Sequence, residues 1–206
     1  MSDIELVLAS ASPRRRELLV GLGVVFTCEP ASIDETPLPG ESPSVYVARM
    51  ANEKAATVLR RRKASPGVVL GADTCVVLER EILGKPKSPK HARAMLRDLS
   101  GCTHVVMTAI AVGGGTRSEG VFESIVVSTH VTFTALSDAA INAYLDTQEP
   151  WDKAGGYGIQ GIAGAFVQRI DGSYSNVVGL PLAETRSLLV ASGVSTRFER
   201  THGEVE

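Results

Sequence analysis

The chain has 206 residues, 44% of them hydrophobic and 21% charged, with a formal net charge of -2. That length supports one substantial core, or one domain in two lobes. The near-neutral charge excludes a basic coat for nucleic acid or an anionic membrane, so any anion site must be a local concentration of cations.

Strand and helix signals alternate along the chain. A strand at 5–9 runs into a helix at 13–22, with Ser12 as N-cap and Pro13 at the first helical position. A strand at 24–28 precedes an acidic, proline-rich surface loop at 34–43, which leads into a helix at 43–62. Two strands at 67–72 and 75–79 come next, with Gly71-Ala72-Asp73-Thr74 where the first of them ends. A helix at 89–99 opens at Ser88-Pro89, and longer strands at 104–112 and 121–134 are joined by a glycine-rich turn at 113–117. The rest reads as a helix at 137–146, short strands at 165–170 and 175–178, and a helix at 181–192. The fold class is α/β with a mixed sheet. One domain is expected over 1–195, followed by a polar tail that frays from Thr196.

Cys28, Cys75 and Cys102 have apolar neighbours and no metal or disulfide spacing, so they read as reduced core thiols. The start at 1–5 is acidic, unlike a secretory signal, and the apolar run 68–78 is cut by Asp73. A soluble, cytoplasmic protein without a membrane span is expected.

The first helix carries the sharpest signal. Arg14, Arg15 and Arg16 crowd an N-terminus that the helix dipole already makes positive, an arrangement that calls for an anion such as phosphate. Arg15 is centred on the stripe of Leu18, Leu19 and Leu22, where it either serves an anion site or caps sheet-edge carbonyls or pairs with a core carboxylate; periodicity leaves open whether Arg14 or Arg16 shares its site. On the second helix, Lys54 continues the apolar stripe of Val47, Ala51 and Val58, and either enters a site or snorkels to solvent. Asp73 at a strand end suits a general base, a bridge from metal to phosphate, or a simple turn. Lys85 in Gly84-Lys85-Pro86 lies within reach. The glycine-rich segment 149–161 lets backbone approach a ligand, and the Gln160 amide matches the N–H and C=O edge of uracil or thymine. Gly113-Gly114-Gly115-Thr116 lacks the lysine of a phosphate-binding P-loop, the four histidines have no metal-ligand spacing, and Ser12 has no triad partners.

Taken in order, these segments resemble the Maf family of nucleoside triphosphate pyrophosphatases. The resemblance rests on the Ser-Ala-Ser-Pro-Arg-Arg run at 10–15, Tyr46 with Glu53-Lys54-Ala55, Gly71-Ala72-Asp73-Thr74 and Gly84-Lys85-Pro86. Leu99-Ser100-Gly101 with His104 and Thr108, the segment 149–161, and the run from Gly172-Ser173-Tyr174 to Gly179-Leu180-Pro181 complete it. It implies an elongated mixed sheet with flanking helices, two lobes around a central cleft, and a fold similar to that of inosine triphosphate pyrophosphatases. It also implies hydrolysis of a nucleoside triphosphate to the monophosphate and pyrophosphate with a divalent cation, Mg2+ or Mn2+. A homodimer is compatible with it, and no nucleic-acid partner is implied.

Carried over by motif, the anion-binding residues are Ser10, Arg14 and Arg15, the lysines are Lys54 and Lys85, and Asp73 is the general base. Glu35, with or without Asp73, would hold the metal, while Arg14, Thr74 and Gln160 match positions tied to substrate choice. The run Asp152-Lys153-Ala154-Gly155 to Gly158-Ile159-Gln160-Gly161 matches the subgroup that acts on dTTP and UTP; the 7-methyl-GTP subgroup ends this segment in Glu. A 7-methyl-GTP or broad-specificity nucleotide pyrophosphatase, or a nucleotide-binding regulator of septum formation with little turnover, is the alternative, the last able to do without Asp73. Cys75 departs from the family's usual aliphatic residue.

Overall fold

The computed structural model describes residues 4–62, 67–115 and 121–199. In chain order the elements are β1 (Leu6–Leu8), α1 (Pro13–Gly21), β2 (Phe26–Cys28), α2 (Pro43–Arg61), β3 (Val68–Leu78), β4 (Glu81–Leu83) and α3 (Pro89–Leu99). Then come β5 (Thr103–Gly114), β6 (Phe122–Phe133), α4 (Asp138–Leu145), three short 3-10 turns between 150 and 166, β7 (Val167–Asp171), α5 (Tyr174–Val178) and α6 (Leu182–Ala191). The strands form one mixed sheet ordered β2-β1-β3-β5-β6-β7, with β4 paired to β3. β1 is parallel to β2 and β3, and the pairs from β3 onward are antiparallel. None of the described helices is long and apolar enough to cross a membrane.

β3 differs from the two strands expected at 67–72 and 75–79: it is continuous, because β5 pairs with it from Val68 to Val77. Asp73 therefore lies in mid-strand, not at a strand end. The ending belongs to its neighbour. β1 pairs with β3 only at Val68–Leu70, and β4 joins the same edge only at Val76–Leu78. The edge of β3 between these pairings is a notch just beyond the carboxyl end of β1, where ligands gather in α/β sheets.

Helices cover both faces. On one face α2 buries Val47, Met50, Ala51, Ala55 and Val58 against Val69, Ala109 and Ala111. The other face carries two separate packings. Leu19 of α1 and Leu22 just past its end pack with Leu188 and Leu189 of α6 on Leu8, Leu70 and Ile110. Further along, Leu96 and Leu99 of α3 pack with Ile141 and Tyr144 of α4 on Val76, Val106 and Phe133. The helix starts obey local chemistry: Ser12, Ser42, Ser88 and Ser137 each accept a backbone N–H of the first turn, and a proline opens three of these helices.

Three other expectations change. The segment 175–178 is helical, not a strand, because Ser173 caps it and Asn176 is buried with its amide on the Val106 carbonyl and Thr129 hydroxyl. Cys75 is buried as expected, but Cys28 and Cys102 are exposed. The chain stays docked past Thr196: that residue is fully buried, Arg197 N–H bonds to the Leu22 carbonyl, and Glu199 pairs with Arg186. The residues 200–206, and residues 116 and 117 of the expected glycine turn, lie outside the described residues; Gly113 and Gly114 belong to β5.

Two contacts tie the flanking segments to the sheet. Gly71 faces α2 so closely that a Cβ there would stand 2.3 Å from the Ala51 carbonyl oxygen and 2.9 Å from Ala55. At the other end of the sheet, buried His104 of β5 shares a 2.7 Å hydrogen bond with Tyr157, joining the segment after α4 to the strand. Burial pushes the His104 imidazole down to about 4, so it is neutral at physiological pH.

Gly71→Ala is expected to push α2 off the sheet at a cost of about 2 kcal/mol, lowering Tm by roughly 4–8 °C in a thermal melt. His104 supplies a pH test. The unfolded chain takes up a proton below pH ~6.5 that the folded chain refuses until about 4, so stability falls as pH falls through that window. Urea unfolding at pH 7 and pH 5 should show a loss of about 2 kcal/mol that is absent from His104→Gln.

Candidate active site

A cleft of about 400 Å³ opens between the α1–α6 packing and the α3–α4 packing. Ser10, Arg14, Arg15, Glu35, Lys54, Thr74, Lys85 and Gln160 all line it. Residues from both ends of the sequence thus meet at the notch in the sheet. Asp73 is not on the wall; it lies behind Lys54, 8% exposed.

The arginines come first. Ser12 caps α1 in extended conformation, which brings the first turn to the tip of β1. Half-buried Arg15 then spreads its guanidinium over three neutral acceptors: Nε to the Gly179 carbonyl at 2.8 Å, Nη1 to Ser10 Oγ at 3.2 Å and Nη2 to Thr74 Oγ1 at 3.0 Å. Thr74 is held in turn by Thr108, whose hydroxyl donates to the Asn176 carbonyl at 2.9 Å. Burial lowers the pKa of Arg15, partly offset by the charge of Asp73, but a guanidinium stays protonated regardless. No carboxylate touches it in any described ion pair, so its charge remains available to an anion. Arg14, on the flank, reaches Asp152 at 3.4 Å across the cleft. Arg16 does not line the cleft and is exposed, which answers the flank question left open by periodicity.

Lys54 does not snorkel. The residue is buried at 7% exposure, and its ammonium is held between two carboxylates, 2.6 Å from Asp73 Oδ1 and 2.7 Å from Glu35 Oε1. Glu35 arrives on a loop that α2 itself fixes. Tyr46 donates its hydroxyl to the Glu35 carbonyl at 3.0 Å, while Arg49 donates to the Thr36 carbonyl at 3.1 Å and forks onto Glu41 at 2.7 Å. Burial opposes ionisation of Glu35, but the hydrogen bond and charge of Lys54, with Lys85 and Arg15 beyond, outweigh it and hold the carboxyl below its ordinary value. Cys75, two residues beyond Asp73 on the same strand face, has its thiol pushed up to about 12 by burial and by the Asp73 charge, so it is inert. Lys85 is exposed, just past the β3–β4 hairpin.

Two hard carboxylate oxygens that converge on one ammonium can also converge on a divalent cation. Among the described residues no group of three Asp, Glu, His or Cys could hold a metal alone. A cation here would complete its shell with water and phosphate oxygens, which is how magnesium usually binds. The donor set fits.

The segment 150–161 closes the cleft opposite α1, with Gln160 exposed at its edge. Gly155 and Gly156 turn there with φ of 68° and 69°, and side chains at these positions would press on Val76 and Pro86. Sequence reasoning placed these residues in motifs but gave no role to the partners that fix the site: Gly179 through its carbonyl, Thr108 and Asn176 behind Thr74, and Asp152 opposite Arg14. Backbone acceptors leave no side-chain pattern to find, although Thr108 and Asn176 are polar interruptions among apolar neighbours.

Known proteins are similar to this chain over nearly its full length. The dTTP/UTP pyrophosphatase of Anaeromyxobacter dehalogenans is 54% identical over 196 residues, covering 95% of this chain and 97% of that protein. The dTTP/UTP pyrophosphatase of Shewanella oneidensis is 53% identical over 197 residues, covering 93% of this chain and all of its own length. Among solved structures, the nucleoside-triphosphatase (dITP/XTP pyrophosphatase) of Mycobacterium abscessus matches 65% of this chain and 76% of its own at 16% identity, with a TM-score of 0.43, too distant to carry a functional argument. A family model described as Maf-like protein matches residues 5–192. With that match spanning most of its length, the chain belongs to the Maf family.

Proposed function

We propose that this chain is a nucleoside triphosphate pyrophosphatase that hydrolyses dTTP and UTP to the nucleoside monophosphate and pyrophosphate. The observation that carries the proposal is the convergence of Arg14, Arg15, Lys54 and Lys85 on one cleft, with Glu35 and Asp73 gathered on Lys54. A triphosphate brings several negative charges to four cations. The names of the relatives, at about half identity over nearly full length, supply the reaction class and the pyrimidine preference.

Arg15 and Ser10 suit the phosphates best, because the guanidinium is preorganised by neutral partners and costs no ion pair to engage. Lys54 is different. It is already shared by two carboxylates, so a triphosphate must compete for its ammonium. Drawn toward the phosphates, Lys54 uncovers Asp73 Oδ1, which then accepts a proton from a water attacking the α-phosphorus. The new P–O bond forms as the bond to the β-phosphate breaks, and pyrophosphate leaves with its charge spread over Arg14, Arg15 and Lys85. A magnesium or manganese ion held by Glu35 and Asp73 would neutralise phosphate charge and acidify a bound water. Gln160, at the far edge of the cleft, presents one donor and one acceptor to the base.

Asp73→Asn should keep nucleotide binding by calorimetry while turnover falls about 10²–10⁴-fold; turnover at the wild-type rate would remove Asp73 from the role of base. Gln160→Glu trades an amide donor for a repelling carboxylate. It should lower kcat/KM for UTP and dTTP about tenfold relative to GTP, and an unchanged ranking in competition assays refutes the assignment.

A further inference from the structure

Glu149 does not line the cleft, yet its carboxylate gathers the polar groups of the wall beside it. Its Oε2 accepts the Ile162 N–H at 2.7 Å, and its Oε1 accepts both the Ala163 N–H at 3.1 Å and the Tyr144 hydroxyl at 3.1 Å. Its own carbonyl accepts from Lys153 Nζ at 2.7 Å. Gly161 lies directly over the carboxylate: a Cβ there would stand 2.1 Å from Glu149 Oε2. The absence of a side chain at 161 is therefore what lets the loop settle onto Glu149. Gln160 occupies the adjacent position, presented to the cleft by this same turn.

We infer that Glu149 is a positioning residue for nucleobase choice: its carboxylate pins the backbone at 161–163 and so fixes where Gln160 meets the base. The inference rests on the reading of Gln160 as base-selecting. Glu149 lies past the end of α4, immediately before the 3-10 turn that starts at Pro150, and is anchored through Tyr144 into the core that also buries Phe133 and Tyr157. The loop is thereby referenced to the rigid sheet and not to solvent. Two charge-assisted bonds to backbone N–H groups from one carboxylate are the stronger kind of hydrogen bond. An amide cannot replace it. In Glu149→Gln one terminal atom becomes a donor facing the Ile162 or Ala163 N–H, so one bond is lost without a change of shape. Gly161→Ala attacks the same contact from the opposite side.

The test compares Glu149→Gln, Gly161→Ala and Gln160→Ala by kcat/KM for UTP and GTP. Amide exchange at 162–163 and the fluorescence of Trp151, the only tryptophan in the chain, are read without nucleotide. The expected result is faster exchange at 162–163 and a shifted Trp151 signal in the first two variants. All three should show a UTP-over-GTP preference reduced about tenfold. A merely structural role would lower both rates together and leave the ratio unmoved. If Gln160→Ala shifts the ratio but Glu149→Gln and Gly161→Ala do not, the inference is overturned while the reading of Gln160 stands. If the Glu149 and Gly161 variants shift it and Gln160→Ala does not, the link from Glu149 through Gln160 is overturned together with the reading of Gln160, and the base is read by the pinned backbone. If none shifts it, both are wrong.

Discussion

The whole arrangement depends on a lysine ammonium held inside the protein between two carboxylates. Removing Lys54 from water is costly unless its charge is matched at hydrogen-bond distance, and Asp73 and Glu35 match it. The geometry begins with a missing side chain: Gly71 lets α2 settle onto β3, and that approach carries Lys54 to Asp73. The same helix then recruits the second carboxylate. Tyr46 and Arg49, about a turn or two ahead of Lys54, hold the loop that delivers Glu35. One helix thus supplies the cation and fixes the acid that faces it.

Arg15 uses the opposite strategy. Three of its N–H donors are engaged by a carbonyl and two hydroxyls, so its orientation is set while its remaining donors and its charge are left without a contact counter-ion among the described ion pairs. A cation held by neutral groups is ready for phosphate; a cation held by carboxylates must be drawn away from them. The cleft contains both kinds, and in the proposed mechanism this difference separates a binding group from one whose displacement uncovers a base.

Much of this was legible in the residues themselves. Arginines at the wrong end of a helix dipole, and a lysine in phase with an apolar stripe, are violations of pattern that a phosphate site explains, and both kinds of side chain line the cleft. The helix starts were readable because serine and proline act within one turn. Asp73 was found for a partly mistaken reason. A strand's own sequence says where it is apolar, whereas the crevice is set by the shortness of β1, a property of the neighbour. At 175–178, Val177 and Val178 look strand-like until Ser173 and the buried Asn176 amide impose a helical turn. The docking of Thr196 to Glu199 depends on Arg186 and Leu22, far away in sequence, and no local pattern announces it.

The position of Asp73 and Thr74 in mid-strand has a further implication. Consecutive side chains of a strand point to opposite faces, so Asp73 meets Lys54 of α2 while Thr74 meets Arg15 of α1. The sheet is therefore a partition, with the buried carboxylate and its lysine on one side and the arginine held by neutral groups on the other, communicating through the gap beside β1. A slip of β3 by a single residue against β5 would exchange the two roles and leave each helix facing the wrong partner. The ladder that holds this strand in register is, in that sense, part of the catalyst.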